Sequence, residues 1–365
     1  MKKLLMFVYN DLNTDARVQR AATALSDYAE IEVLSIGKPF NAKSYKNHVL
    51  NAKCKNHMLR YFEIVWKVLV YARKAQGHVF YGHDFYSALP LLIIKIFMPS
   101  YKTVYDAHEL YLPEKNLPFG LRNYFFHIWE KMIIKKVTVL IAAQTERANI
   151  MKTFYHLKQA PIVVRNISKL PDADKVSNPE IERVCEEFFK KPGITVGYAG
   201  VIDLSRGLEE LLKAVDSLKG THKVFLVGNG ADSQILREKA AEYNRTDILQ
   251  IDALPYDQLS AVMKRCDIGF VYYPTDTLNN KYCASNKIYE YASIGIPMAS
   301  NDNPTVKGIL EKWEIGASGN DLAEVIQKVS GNLDIYKNNI LTFNLNYTWE
   351  REQAVLIQGL KSILL

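Results

Sequence analysis

Cysteine is scarce and unpatterned in this chain. Cys54, Cys185, Cys266 and Cys283 show no Cys-x-x-Cys spacing, and no histidine clusters with them. That points to a reducing compartment and away from a structural zinc site. Long apolar runs are missing too. The longest, Ala88 to Met98, is broken by Pro90 and Lys95 and is too short to span a bilayer. The opening MKKLLMFVYNDLNTD sets two lysines before an apolar run, but the run stops at Tyr9 with no small-residue cleavage site. It therefore reads as a first β-strand rather than a signal peptide. No internal repeat, low-complexity tract or nucleic-acid recognition motif is found. These absences leave a soluble or peripheral protein, expected in the cytoplasm, with no nucleic-acid partner.

What is present is globular and long. With 365 residues, 48% of them apolar and 23% charged, two domains are expected. The net charge of +7 is unevenly spread: residues 1–175 hold 26 Lys+Arg against 14 Asp+Glu, and residues 176–365 hold the other 20 and 25. A basic first half implies an anionic counterpart, such as a lipid surface. Two stretches there, Leu59–Lys74 and Leu121–Lys136 with Tyr124, Phe125, Phe126 and Trp129, interleave aromatic and basic residues. They fit either a core helix with a solvated edge or an in-plane contact with a membrane.

The order of elements is repetitive in kind. KKLLMFVY, IEVLSIG, HVFYGHD, KTVYDAHEL, VTVLIAAQ and PIVVRN read as strands separated by helical or loop stretches, while 41–57 reads as polar and irregular. FGLRNYFFHIWEKMIIKK reads as one of the helices. Residues 166–191 lose apolar periodicity; the linker region is taken as 176–191, with a short helix near Ile181–Phe189. A second alternating series follows through GITVGYAG, KVFLVGNG, ILQI, IGFVYY and PMASN. The fold class is thus α/β with two Rossmann-like doubly wound domains, 1–175 and 192–345, facing a cleft, and a last helix within 346–365 that packs back on the first.

One stretch organises the second half: ASNKIYEYASIGIP, residues 284–297. Ile288, Tyr291, Ala292 and Ile294 recur at helical spacing, Ser285 or Asn286 is placed to cap, and Lys287 and Glu290 share the opposite face. A helix N-terminus with an added lysine suits a phosphate, and a carboxylate one turn on suits a ribose diol. By itself the stretch also fits an ordinary amphipathic helix. Gly197-Tyr-Ala-Gly200, then Ser205-Arg206-Gly207 opening a helix, is a phosphate-cradle pattern. In the first half, His83-Asp84 and His108-Glu109 each follow a strand, where a group that polarises a hydroxyl belongs. They could instead bind zinc, but no further ligand falls at a typical spacing. Asp15 is expected to cap a helix, with Arg17 solvated or salt-bridged beside the Asn10–Thr14 loop.

In this order the motifs resemble the retaining, nucleotide-sugar-dependent glycosyltransferases of family four, which have the GT-B fold. DARVQRAATAL, YGHD, VYDAHEL, VVRN, GYAG…RGLEELL and SNKIYEYASIGIPMAS carry the likeness over nearly the whole chain. The resemblance implies transfer of a sugar from a nucleotide diphosphate sugar to an acceptor hydroxyl, without an essential metal. Arg206 and Lys287 then look like diphosphate contacts and Glu290 like the ribose-binding glutamate. Gly200, Gly207, Gly228, Ser285 and Asn286 fall in the donor-binding segments. His108 would lie near the transferred sugar, His83 nearer the acceptor, with Asp84 and Glu109 beside them and Asn10, Asp15 and Arg17 on the acceptor side. Two positions depart from the family pattern: Tyr282 stands where the first glutamate of Glu-x7-Glu would fall, and Val201 where an arginine often follows the phosphate loop. The implied setting is bacterial surface polysaccharide synthesis on a glycan or lipid-linked acceptor, at the inner face of the membrane. The alternatives are a nucleotide-sugar epimerase on the same fold and a non-catalytic nucleotide-sugar-binding subunit.

Overall fold

The computed structural model describes residues 2–114, 120–243 and 246–364, apart from the side chain of Arg122. The expected helix start at Phe119 and the final Leu365 lie outside the described residues. The chain divides into two units, Met1–Asn166 with Glu350–Leu365, and Ile167–Trp349.

The first unit is built on a seven-stranded sheet. Its strands are β1 (Lys2–Asp11), β2 (Ala29–Ile36), β3 (Lys46–Val49), β4 (Val79–His83), β5 (Lys102–Ala107), β6 (Val139–Ala142) and β7 (Ile162–Val163), in the order β3-β2-β1-β4-β5-β6-β7. Every pairing is parallel. Helices cover both faces, so the interior of β1, Leu4 to Val8, is buried throughout and reads as an uninterrupted apolar run instead of an alternating one.

The second unit repeats the plan with six parallel strands: β8 (Ile194–Ala199), β9 (His222–Val227), β10 (Ile248–Ile251), β11 (Ile268–Val271), β12 (Met298–Ser300) and β13 (Gly316–Ser318), ordered β10-β9-β8-β11-β12-β13. In both sheets the strand order reverses beside the unit's first strand, between β1 and β4 and between β8 and β11. In open α/β sheets the crevice at the carboxyl ends of such a reversal is where ligands bind.

One sequence expectation needs correction. Within 41–57, β3 pairs with β2, placing Lys46 opposite Glu32. It is a short polar edge strand, so no apolar run announced it. In the span 176–191 the short helix expected near Ile181–Phe189 is found. Helix Pro179–Phe189 fills most of it, capped by Asn178, whose side chain accepts from the Glu180 and Ile181 amides. Its Cys185 and Phe188 belong to the second unit's core, and the unit boundary falls earlier, between Asn166 and Ile167. Beyond PMASN the chain adds helices Pro304–Trp313, Leu322–Ser330 and Leu333–Asn346.

The last helix, Trp349–Leu364, joins the first unit from Glu350 onward. There the Glu352 carboxylate accepts from the Arg165 amide at 2.7 Å and its guanidinium at 3.0 Å, and the Lys2 ammonium donates to the Ile363 carbonyl at 3.2 Å. Among the described residues no helix is long and apolar enough to cross a membrane.

Candidate active-site residues

In the first unit a pocket of about 290 Å³ opens at the strand reversal, lined by Val8, Tyr9, Asn10, Asp15, His83, Asp84, Tyr86, His108 and Glu109. Beneath it lies a buried charge cluster. Asp106, the third residue of VYDAHEL, points inward from β5 and is held from several sides. Arg17 reaches its two oxygens at 2.6 and 3.2 Å, and the Tyr81 hydroxyl donates at 3.1 Å. His83 Nδ1 and His108 Nε2 stand 3.6 and 3.8 Å from the same carboxylate and 3.3 Å from each other.

This arrangement sets the protonation states. Burial pushes the Asp106 carboxyl up, but Arg17 and the two histidines outweigh it and hold it well below the usual carboxylate range. His108 is held below its ordinary value by burial, which with the positive charges of Arg17 and His83 overcomes the pull of Asp106. A neutral imidazole at the pocket wall can accept a proton or a hydrogen bond from a hydroxyl. The His83 ring is buried and stacked on Tyr81, and its Nε2 has no hydrogen-bond partner among the described residues.

Asp84 is the strained residue of the pocket. It sits at φ 58°, ψ 174°, a conformation unusual for a residue other than glycine. Burial pushes its carboxyl up to about 7, against a bond from the Phe85 amide, and one carboxyl oxygen has no partner among the described residues. Glu109 is more open and pairs with Arg147 at 3.5 Å. Asp15 caps the helix Ala16–Leu25, accepting from the Val18 amide at 3.2 Å, while Asn10 donates to its other oxygen at 3.3 Å.

Arg17 does not face the pocket as an acceptor contact would. It is 6% exposed and spent on Asp106 and the Val164 carbonyl, which makes it the salt-bridged side chain of the two alternatives. His83 Nδ1, His108 Nε2 and an Asp106 oxygen lie within 4.8 Å of one another, close enough to share a metal ion. The Arg17 guanidinium already neutralises that carboxylate, so a cation there would meet a positive neighbour.

The second unit has its own site at the β8–β11 reversal. Beyond Ala199 the chain turns at Gly200, φ 144°, and a Cβ there would meet the Lys287 ammonium. Gly228, φ 154°, packs its α-carbon against the Gly200 carbonyl, which leaves no room for a side chain. Asp203 caps the short turn Leu204–Arg206 through the Ser205 amide, and Gly207, φ 67°, opens helix Leu208–Ser217. The Arg206 guanidinium lies 4.9 Å from the centre of the Tyr273 ring.

Helix Asn286–Ser293 follows Ser285, whose side chain makes no cap bond, contrary to the expected capping, and the Asn286 Oδ1 is buried without a partner among the described residues. The first-turn amides are therefore left for something else. Lys287 lies 4.6 Å over the Tyr198 ring and donates to the Ala199 carbonyl. Burial pulls its pKa down to about 8, with Arg206 adding to the effect and Glu290 opposing it. Arg206 and Lys287 thus feel each other, as two cations sharing one site must. Glu290 accepts from the Ser168 and Tyr256 hydroxyls, both at 3.1 Å.

No protein-family model and no curated protein matches this sequence. Solved structures do. HepE of Anabaena, in complex with UDP-glucose, matches with a TM-score of 0.77 at 14% identity over 99% of this chain and 100% of its own. The chain has the GT-B fold of glycosyltransferases. Sucrose-phosphate synthase of Thermosynechococcus elongatus matches this GT-B chain with a TM-score of 0.71 at 14% identity, covering 100% and 96% of the two chains. WaaG, a glycosyltransferase involved in lipopolysaccharide biosynthesis, gives 0.71 at 14% identity over 99% and 98%.

Within the GT-B chain, the structure gathers His83, Asp84, His108, Glu109, Asn10 and Asp15 at one pocket of the first unit. In the second unit it brings Gly200, Arg206, Gly207, Gly228, Asn286, Lys287 and Glu290 to one strand reversal. Tyr282 follows the short helix Leu278–Lys281, and Val201 is exposed. Sequence reading passed over Asp106 and Tyr81, although a charged residue between Tyr105 and Ala107 in a buried strand was the available signal. Ser168, Tyr256 and Tyr273 gave none, because their roles arise from distant segments folding together.

Proposed function

We propose that this protein is a retaining glycosyltransferase that moves a hexosyl or N-acetylhexosaminyl group from a nucleotide diphosphate sugar to a hydroxyl of a glycan or lipid-linked acceptor. It works without an essential metal ion, in bacterial surface polysaccharide synthesis at the cytoplasmic face of the membrane. One observation carries the reading: Arg206 and Lys287 share a site with an uncapped helix N-terminus and the close-approach glycine Gly200. Holding two cations together at a partly desolvated site without a neutralising anion is costly, and a bound diphosphate removes that cost. Neighbours of the same fold bind UDP and UDP-glucose, which is consistent with this chemistry.

In the reaction the bond from the anomeric carbon to the diphosphate oxygen breaks, charge accumulates on the leaving β-phosphate, and the sugar becomes oxocarbenium-like. Arg206, Lys287 and the amides of Asn286–Ser293 are fixed where that charge grows, the placement that accelerates a reaction most. Glu290, oriented by Ser168 and Tyr256, holds the ribose. In the first-unit pocket, Asp84 helps to hold the acceptor hydroxyl; the hydroxyl oxygen forms the new bond to the anomeric carbon as neutral His108 takes the hydroxyl proton.

The test is a panel of uridine and guanosine diphosphate sugars screened for thermal stabilisation, followed by transfer assays in which NMR reads the anomeric configuration of the product. A stabilising donor and a product of retained configuration support the reading. Conversion of the donor with no acceptor present would make the protein an epimerase, and donor binding with no turnover on any acceptor a binding subunit.

A further inference from the structure

Helix His57–Ala75 is apolar on two sides. Its inner face, Ile64, Val65 and Val68 among others, is buried as expected. Its outer face presents Leu59, Phe62 and Trp66, the last 61% exposed, at spacings of three and four. Helix Leu121–Ile134 does the same with Leu121, 72% exposed, Phe125 and Met132. The two stripes meet where Phe62 touches Trp129, ring centres 6.2 Å apart. Single exposed apolar side chains are ordinary, but a joined stripe across two helices marks a contact surface.

Charge identifies what it contacts. Lys53, Lys55, Arg60, Arg73 and Lys74 are exposed on or beside the first helix, and Lys131, Lys135 and Lys136 on or beside the second. The cores of protein–protein interfaces are depleted in lysine. At a bilayer surface, by contrast, aromatic rings enter the headgroup layer while lysines meet anionic lipid.

We propose that this two-helix face seats the protein on an anionic lipid bilayer and sets the first-unit pocket beside the lipid–water boundary. Exposed Phe62 is two ring contacts from the pocket wall: Phe62 to Tyr61 at 5.7 Å, then Tyr61 to Tyr9 at 5.5 Å. A helix lying in the interface sinks about 5–10 Å, so a hydroxyl carried on a membrane-embedded lipid comes level with Tyr9 and Tyr86. The lipid-linked acceptor rests on the function proposed above; the bilayer contact does not.

The experiment is sedimentation of the full chain with phosphatidylcholine vesicles, with and without about 30% phosphatidylglycerol. Binding to the anionic vesicles only, weakened by salt and reduced at least ~10-fold in Leu59→Ser/Trp66→Ser, is the expected result. The double variant keeps the wild-type melting temperature, because both side chains are exposed. No binding to anionic vesicles, or binding unchanged in the variant, would overturn the proposal. So would a dimer of the wild type that the variant abolishes, because the face would then be an interface between copies. Vesicle binding without sugar transfer would sink the proposed function alone, and transfer without vesicle binding the docking alone.

Discussion

The two strand reversals of this chain solve opposite electrostatic problems. In the first unit the charges beneath the pocket are matched internally: Arg17 answers Asp106, Tyr81 and two histidines surround the same carboxylate, and burial raises the Asp84 carboxyl to about 7. In the second unit two cations lie together, both half-buried, with Glu290 engaged by the Ser168 and Tyr256 hydroxyls. The first arrangement is complete in the free protein and can orient a neutral hydroxyl. The second is incomplete without an anion. A sugar transferase needs both kinds of site, because its acceptor is neutral and its leaving group is charged.

Breaking the matched cluster is expected to have the largest effect. Arg17→Ala strands the buried Asp106 carboxylate and should cost about 3–5 kcal/mol of stability, measured by urea unfolding. Arg17→Met with Asp106→Leu removes both charges and should recover most of that loss. A single variant as stable as the wild type would mean that the pair is not the counter-ion system described.

The unmatched site should respond in activity and not in stability. Lys287→Ala is expected to lower transfer by at least ~10²-fold, the usual result of losing one donor to a developing anion. It should unfold no earlier than the wild type, since a desolvated ammonium has been removed. Turnover close to normal would reject its role.

A pH titration sharpens the same contrast at smaller amplitude. With its free-state pKa pulled down to about 8, Lys287 loses its charge as the pH rises through that value. A bound diphosphate favours the ammonium and raises its pKa, so donor binding takes up a proton above pH 8. Affinity should therefore fall up to about tenfold per pH unit there, a dependence that calorimetry in buffers of different ionisation heat detects. It should vanish in Lys287→Met.

Most of this was legible in the sequence where one segment carried the whole signal. The helix Asn286–Ser293 showed its buried face through Ile288, Tyr291 and Ala292, and the alternation of strands and helices gave both sheets. Where a feature is assembled from distant segments, it was not legible. Arg17 and Asp106 are 89 positions apart, and no local pattern says that they pair. The edge strand β3 was obscured for another reason, since polar residues on a half-buried element mask its periodicity.

The smallest expected effect concerns Asp15, which does two jobs with one carboxylate. One oxygen caps helix Ala16–Leu25 at the Val18 amide, and the other accepts from Asn10 at the pocket wall. Asp15→Asn keeps a capping oxygen and loses the charge, so stability should change by only a few tenths of a kcal/mol, whereas Asp15→Ala loses the cap and about 1 kcal/mol. Activity separates the jobs. If transfer falls only in the alanine variant, and only as far as its melting temperature falls, Asp15 belongs to the scaffold of the matched site. If the asparagine variant, fully folded, also shows a raised KM for acceptor, the carboxylate touches the acceptor, and the first unit then binds its substrate with a charge that it has not neutralised internally.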